Sequence, residues 1–104
     1  MLLSKSDGYP AGEIVCFKLV NGDEVVAKVV SSVAGGWIVN KPCTVMPSPQ
    51  GLGLIQTLFS ADINKDVELR FEHVMMHSVT LKALEDHYLQ TTTGIALGKG
   101  PIVT

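Results

Sequence analysis

Apolar and polar residues alternate in short runs over most of the chain, which is the pattern of half-buried β-strands. The first run covers residues 14–20 and the second covers residues 23–30. Asn21 and Gly22 join them, and an Asn-Gly pair between two β-branched runs favours a tight hairpin, because a type I′ turn needs positive φ at both central positions. The pattern therefore predicts a β-hairpin over residues 14–30.

Three further strands are predicted downstream of this hairpin. A third strand begins at residues 37–41, and the proline- and glycine-rich stretch 42–53 is typical of a loop, because proline removes a ladder donor. Residues 54–60 predict a fourth strand and residues 74–81 a fifth. Between them, residues 62–66 are polar and predict a solvated turn.

The hydrophobic period changes after the fifth strand. Leu81, Leu84 and Tyr88 follow the i, i+3, i+7 spacing of one helix face, which predicts a helix of about three turns over residues 82–93. Glycine and proline interrupt residues 94–104, so a loose tail is expected. The fold class predicted from these elements is mainly β: a small five-stranded barrel with a C-terminal helix.

Composition supports one small domain spanning residues 1–104 and changes the expectation about its surface. Apolar residues make up 46% of the chain, but charged residues only 17%. So few charges on a small body leave apolar surface exposed, which is typical of a subunit interface. The formal net charge of -2 argues against a broad basic surface for nucleic acid.

The sequence also predicts a location for the protein. The N-terminus has no apolar stretch long enough for a signal peptide, and no run approaches the ~20 apolar residues of a membrane-spanning helix. We therefore expect a soluble, cytoplasmic protein with no membrane contact. Cys16 and Cys43 are then expected to be reduced thiols, buried as small hydrophobic side chains.

Two segments resemble the motifs of the Sm-like (LSm/Hfq-like) family. Residues 19–25, Leu-Val-Asn-Gly-Asp-Glu-Val, are similar to its first motif, and residues 71–79, which begin Phe-Glu-His, are similar to its second. With the strands between them the resemblance covers about residues 13–81, and the added helix is similar to that of phage-type Sm-like proteins of uncertain role. The resemblance implies a strongly bent five-stranded barrel. It also implies a homo-oligomeric ring of five to seven subunits, closed by edge pairing of the fourth and fifth strands.

The candidate nucleic-acid-binding residues lie near two turns. Trp37 offers an indole face on which a base could stack, although a core tryptophan is the more common arrangement. Asn40 and Lys41 are polar neighbours in the same region, and the resemblance adds His73. The Lys that contacts RNA beside this His in the family is replaced here by Glu72, whose carboxylate disfavours phosphate.

Catalysis and metal binding are not predicted. His73 and His77 are four residues apart, which on a strand separates them by ~13 Å, too far to share an ion. Cys16 and Cys43 belong to no Cys-x-x-Cys motif, and no cysteine or serine lies in a recognisable nucleophile turn. We expect no enzyme activity, no metal and no cofactor.

Two functions remain open from the sequence. The first is an Sm-like ring-forming binding module that takes RNA or single-stranded nucleic acid at a local site. The second is a structural or adaptor protein, whose ring or helix docks a protein partner without binding nucleic acid. Binding to oligonucleotides at low salt separates the two, because phosphate contacts are strongest there.

Overall fold

The computed structural model describes residues 8–93 and shows a sheet, one short 3-10 turn and one helix. The predicted tail, residues 94–104, lies outside the described residues. The mainly β class and the C-terminal helix are confirmed. In chain order the elements are β1 (Ile14–Leu19), β2 (Glu24–Val33), β3 (Gly36–Ser48), β4 (Gly51–Gln56), β5 (Val67–Arg70), the 3-10 turn (Phe71–His73), β6 (Val74–Val79) and α1 (Lys82–Thr93).

The sheet is antiparallel and has six strands where five were predicted. Its strand order is β4-β3-β2-β1-β6, with β5 pairing beside β4 on the same strand β3. The predicted fourth strand ends early at Gln56, and the chain returns to β3 only at Val67. The sheet is therefore not closed within the described chain, in contrast to the barrel that was predicted, and β4 and β6 lie at its two ends.

Strand β3 runs through the segment predicted to be a loop. Pro42 is tolerated because the pairing with β2 is interrupted there, between Asn40 and Cys43. The β2 ladder ends at Thr44, so Pro47 lies in a two-stranded ribbon with an open side, where a residue without an N–H is acceptable. The prolines therefore mark irregular or one-sided parts of the strand and do not end it.

The first hairpin is present, but its turn differs from the predicted type I′. Gly22 has φ +99°, whereas Asn21 does not have positive φ. The Gly22 N–H donates to the Leu19 carbonyl (2.9 Å), and the Leu19 N–H donates to the Asp23 carbonyl (2.8 Å). This is a three-residue connection in which one glycine takes the left-handed conformation.

The sheet packs a separate apolar cluster on each face. The inner cluster contains Val15, Phe17, Ala27, Val29, Trp37 and Val39. The outer cluster contains Ile14, Val26, Cys43, Val45 and Tyr88 and is covered by α1. Because β2 contributes to both, its residues Val25, Val26 and Ala27 are all buried.

Candidate functional site

A β-bulge in the middle of β3 holds two of the predicted site residues. Val26 pairs with Cys43 and Lys28 pairs with Asn40, so β3 has one more residue than β2 across this interval. Lys41 has φ +51° and is the only non-glycine residue of the described chain with positive φ. The extra residue reverses the side-chain alternation. Trp37 and Val39 therefore face the inner cluster, while Cys43 and Val45 face the outer one.

The helix holds this bulge through one side chain. The Tyr88 hydroxyl lies 2.9 Å from each of the Asn40 and Lys41 carbonyl oxygens and accepts from the Lys28 N–H at 3.2 Å. One hydroxyl proton is shared between two acceptors, so both carbonyls are satisfied by a single group that also serves a donor on β2. Tyr88 is fully buried, and this burial raises the pKa of its hydroxyl well above the usual range.

Trp37 lies inside the inner cluster and not on the surface. It is 2% exposed, and its ring lies 5.0 Å from Phe17, 4.9 Å from His77 and 4.7 Å from Phe71, measured between ring centroids. The adjacent Gly36 allows this placement, because a Cβ there would overlap the Leu69 carbonyl oxygen. In this arrangement the indole is a packing residue beneath the 3-10 turn.

The predicted His73 closes the 3-10 turn and is exposed. The charges beside it are already paired. Arg70 contacts the Glu68 carboxylate at 2.6 Å and the Glu72 carboxylate at 3.7 Å, and these contacts raise the pKa of its guanidinium. An anion that approaches His73 therefore meets two carboxylates and an arginine whose positive charge they already balance.

A shallow pocket opens beside the bulge, where the sheet has a gap between β4 and β5. Its lining includes Lys41, Lys65 and Gln56 together with the apolar residues Pro42, Leu58, Ala61, Ile63 and Val67. Residues 57–66 connect β4 to β5 and form one side. The sequence pattern missed this pocket because Val67–Arg70 is too short to show a clear alternation. If Val67 and Leu69 had been recognised as strand residues that pair with β3, the preceding loop, residues 57–66, would have been placed beside β3.

The four predicted residues are thus divided between two places. Asn40 and Lys41 lie at the bulge, where the Asn40 amide donates to Asp66 (3.0 Å). Trp37 lies beneath the 3-10 turn, and His73 is the last residue of that turn. Of the four, only Lys41 lines the pocket.

One of the two thiols reaches the bulge, because the Cys43 Sγ donates to the Lys41 carbonyl at 3.7 Å, whereas Cys16 lies on β1. Cys16 and Cys43 are both free, and each pairs across from Val26 on opposite sides of β2. Burial raises the pKa of the Cys43 thiol to about 11, which makes it a poor nucleophile near neutral pH. Among residues 8–93, no three His, Cys, Asp or Glu side chains are grouped as metal ligands would be.

Exposed apolar side chains lie along both end strands. On β6, Met75 and Met76 are 61% and 62% exposed, and Val79 is also exposed. On β4, Leu52 and Ile55 are exposed. Each end strand is paired on one side only.

A scan against models of known protein families finds no match, and a search of curated proteins finds none either. No helix in the part of the chain that the structure describes has the length and apolar character needed to cross a membrane.

Proposed function

We propose that this chain is the subunit of an Sm-like ring that acts as a protein-interaction module. The observation that carries the proposal is the pair of one-sided end strands, β4 and β6, both rich in exposed apolar side chains. Unpaired strand edges invite pairing with another chain unless charge, proline or a covering element protects them. On β6 the exposed side chains of Met75, Met76 and Val79 are apolar, so they favour pairing with another chain.

The positions of these edges favour a ring over a two-fold dimer. β4 and β6 are different surfaces at opposite ends of one sheet, so pairing β4 of one subunit with β6 of the next is a head-to-tail contact. Repetition of such a contact closes a ring when the rotation fits. The bulge in β3 supports the bent sheet of an Sm-like subunit, because a bulge bends and twists the strand that carries it.

Charge favours a protein partner over nucleic acid. The net charge is -2, and the sole arginine is engaged by Glu68 and Glu72 at the turn that resembles the RNA-binding motif. Trp37 is buried, so no indole face is offered to a base. We expect a labelled uridine-rich oligonucleotide to show no binding at low salt, where phosphate contacts are strongest. Salt-sensitive binding there would favour the nucleic-acid function instead.

The ring is tested by the absolute mass in solution, measured by light scattering on a sizing column. We expect a mass of five to seven subunits for the wild-type protein. Met76→Lys should reduce this mass to that of the monomer, because a charge on an edge strand opposes pairing. The matched control is Lys82→Met, which also exchanges lysine and methionine at an exposed position but lies on α1, and it should leave the mass unchanged. A wild-type monomer would contradict the proposal.

A further inference from the structure

We propose that Met75 and Met76 form an oxidation site that controls assembly, because a peroxide converts their thioethers to sulfoxides and so blocks the β6 edge. This inference rests on the proposed ring and adds a means of regulating it. Its basis is the position of two adjacent thioethers on a strand that is paired on one side only.

A bulge in β6 places both methionines on the same side of the sheet. The pairing with β1 shifts by one residue at Met75, which is the extra residue of the bulge. Val74 packs against the inner cluster, and the His77 ring lies against two aromatic rings of that cluster. Met75 and Met76 stand between these two residues, so they face away from the inner cluster, where they are 61% and 62% exposed.

Methionine differs from the residues that usually build an exposed strand. β-Branched side chains favour strands, and Val74 and Val79 at the two ends of β6 follow that preference. Met75 and Met76 also supply apolar surface, but their sulfur atoms can be oxidised, which turns a flexible apolar side chain into a polar one. An edge made of valine alone would stay apolar under oxidising conditions, whereas this edge changes its polarity.

The reaction needs a peroxide and, from the protein, only the sulfur atom. A sulfur lone pair attacks one peroxide oxygen, so that an S–O bond forms and the O–O bond breaks. The sulfur loses two electrons to the peroxide, and with hydrogen peroxide the other oxygen leaves as water. Oxidation takes place on the free subunit, where the edge is exposed. The sulfoxide is polar, so its burial against Leu52 and Ile55 on β4 of a neighbouring subunit costs free energy and opposes assembly.

Two other sulfur atoms of the described chain serve as internal references. Cys43 is buried, and burial raises the pKa of its thiol to about 11, which keeps it in the less reactive neutral form. Met46 is 48% exposed, but its strand, β3, is not one of the two end strands. Met46 therefore reports how readily an exposed thioether of this protein is oxidised away from the β6 edge.

The experiment is treatment of the native protein with dilute hydrogen peroxide, followed by removal of the peroxide with catalase. Light scattering on a sizing column measures the mass, and mass spectrometry of peptides measures the sulfoxide at each methionine. We expect oxidation of Met75 and Met76 to raise the subunit concentration for half assembly by about tenfold or more, because a polar group enters an apolar contact. Methionine sulfoxide reductases of both stereospecific types should restore the ring.

The matched variants are Met75→Leu/Met76→Leu and Met46→Leu. Leucine keeps the edge apolar without a sulfur atom, so the double variant should assemble and keep its mass in peroxide, whereas Met46→Leu should be as sensitive as the wild type. Because the double variant retains both thiols, its resistance assigns the effect to β6. Met75→Gln/Met76→Gln, which introduces polar side chains without peroxide, should assemble as poorly as the oxidised wild type.

Three results would overturn the proposal. The first is that the leucine double variant loses its assembly in peroxide as the wild type does. The second is that the wild-type ring keeps its mass when Met75 and Met76 are sulfoxides, or that these two stay unmodified while Met46 is oxidised. The third is that reduction of the sulfoxides leaves the wild type dissociated, which decides the case even if leucine does not support assembly. An untreated wild-type monomer contradicts the ring itself, whereas a ring unaffected by oxidation contradicts only its regulation.

Discussion

A single tyrosine hydroxyl connects the helix to the least regular point of the sheet. Lys41 adopts a conformation that costs a non-glycine residue roughly 1–2 kcal/mol, and such positions persist only when their surroundings impose them. Tyr88 provides that constraint, because its hydroxyl bonds the two carbonyls that flank the Lys41 Cα, those of Asn40 and Lys41, and accepts from one N–H of β2. The residue that shapes the pocket is therefore forty-seven positions away in the sequence.

Removal of this hydroxyl should destabilise the fold. Tyr88→Phe keeps the ring in the outer cluster but removes the hydroxyl contacts of the Asn40 and Lys41 carbonyls and of the Lys28 N–H, and leaves the Lys41 carbonyl only the weak Cys43 thiol donor at 3.7 Å. We expect a loss of about 1–3 kcal/mol in the free energy of unfolding, because buried polar groups lose their hydrogen bonds. Urea unfolding followed by circular dichroism measures it. Tyr9→Phe, which removes the same atom from a half-buried tyrosine, should cost less; equal losses would show that the bulge contacts add nothing.

At the scale of elements, α1 is part of the core. Its residues Leu84, Tyr88 and Leu89 close the outer cluster, where Cys43 and Val45 would otherwise face solvent. Thr92 supports the same turn by donating to the Tyr88 carbonyl at 2.8 Å. Removing the helix would expose an apolar sheet face, so the helix is needed for the stability of the sheet as well as for any contact of its own.

The covered cluster should make stability depend on alkaline pH. Burial raises the Cys43 pKa from the ordinary 9.0 to about 11, so the folded thiol stays neutral where the unfolded one ionises. The contribution of this thiol to the free energy of unfolding is therefore fully present below pH 9. It is lost as the pH rises through 11, by on the order of 2–3 kcal/mol. Urea unfolding between pH 7 and pH 11, compared with Cys43→Val, isolates this contribution. If the two proteins lose stability in parallel over that range, another group is responsible.

The sequence predicted the elements better than their irregularities. The change of period at Leu81 located α1, because one helix face is a local pattern. The missed strand, Val67–Arg70, forms through its pairing with Gly36–Val39, which is a distant segment. The bulge was also missed, since nothing local marks a lysine as left-handed; it depends on Tyr88. Lys65 was not predicted as a neighbour of Lys41, because the pairing of β5 with β3 that brings the two lysines to one pocket joins distant segments.

At the scale of the whole molecule, the two end strands give each subunit two different surfaces. If assembly is head to tail, a subunit with one damaged edge keeps the other, and the position of the damage decides what it can still bind. This distinguishes a ring contact from a self-complementary dimer, in which one change damages both sides of the same contact.

Mixing two edge variants should reveal this polarity. Met76→Lys damages β6, and Ile55→Lys damages β4, so each protein alone should be monomeric. Mixed in equal amounts, they should form a heterodimer, because the intact β4 of one pairs with the intact β6 of the other, and the chain can grow no further. Light scattering measures the mass of the mixture. A mixture that stays monomeric, or that rebuilds full rings, would exclude a contact between β4 and β6.

The bulge at Lys41 has a consequence for how the gene can vary. Loss of one codon there would remove the extra residue and reverse the side-chain alternation of the rest of β3, turning Cys43 and Val45 away from the helix. Codons within 57–66 carry no such constraint, because that segment leaves the ladder and returns to it. Natural length variation should therefore accumulate in the segment beside the pocket and be absent from the strand that sets the two faces of the sheet.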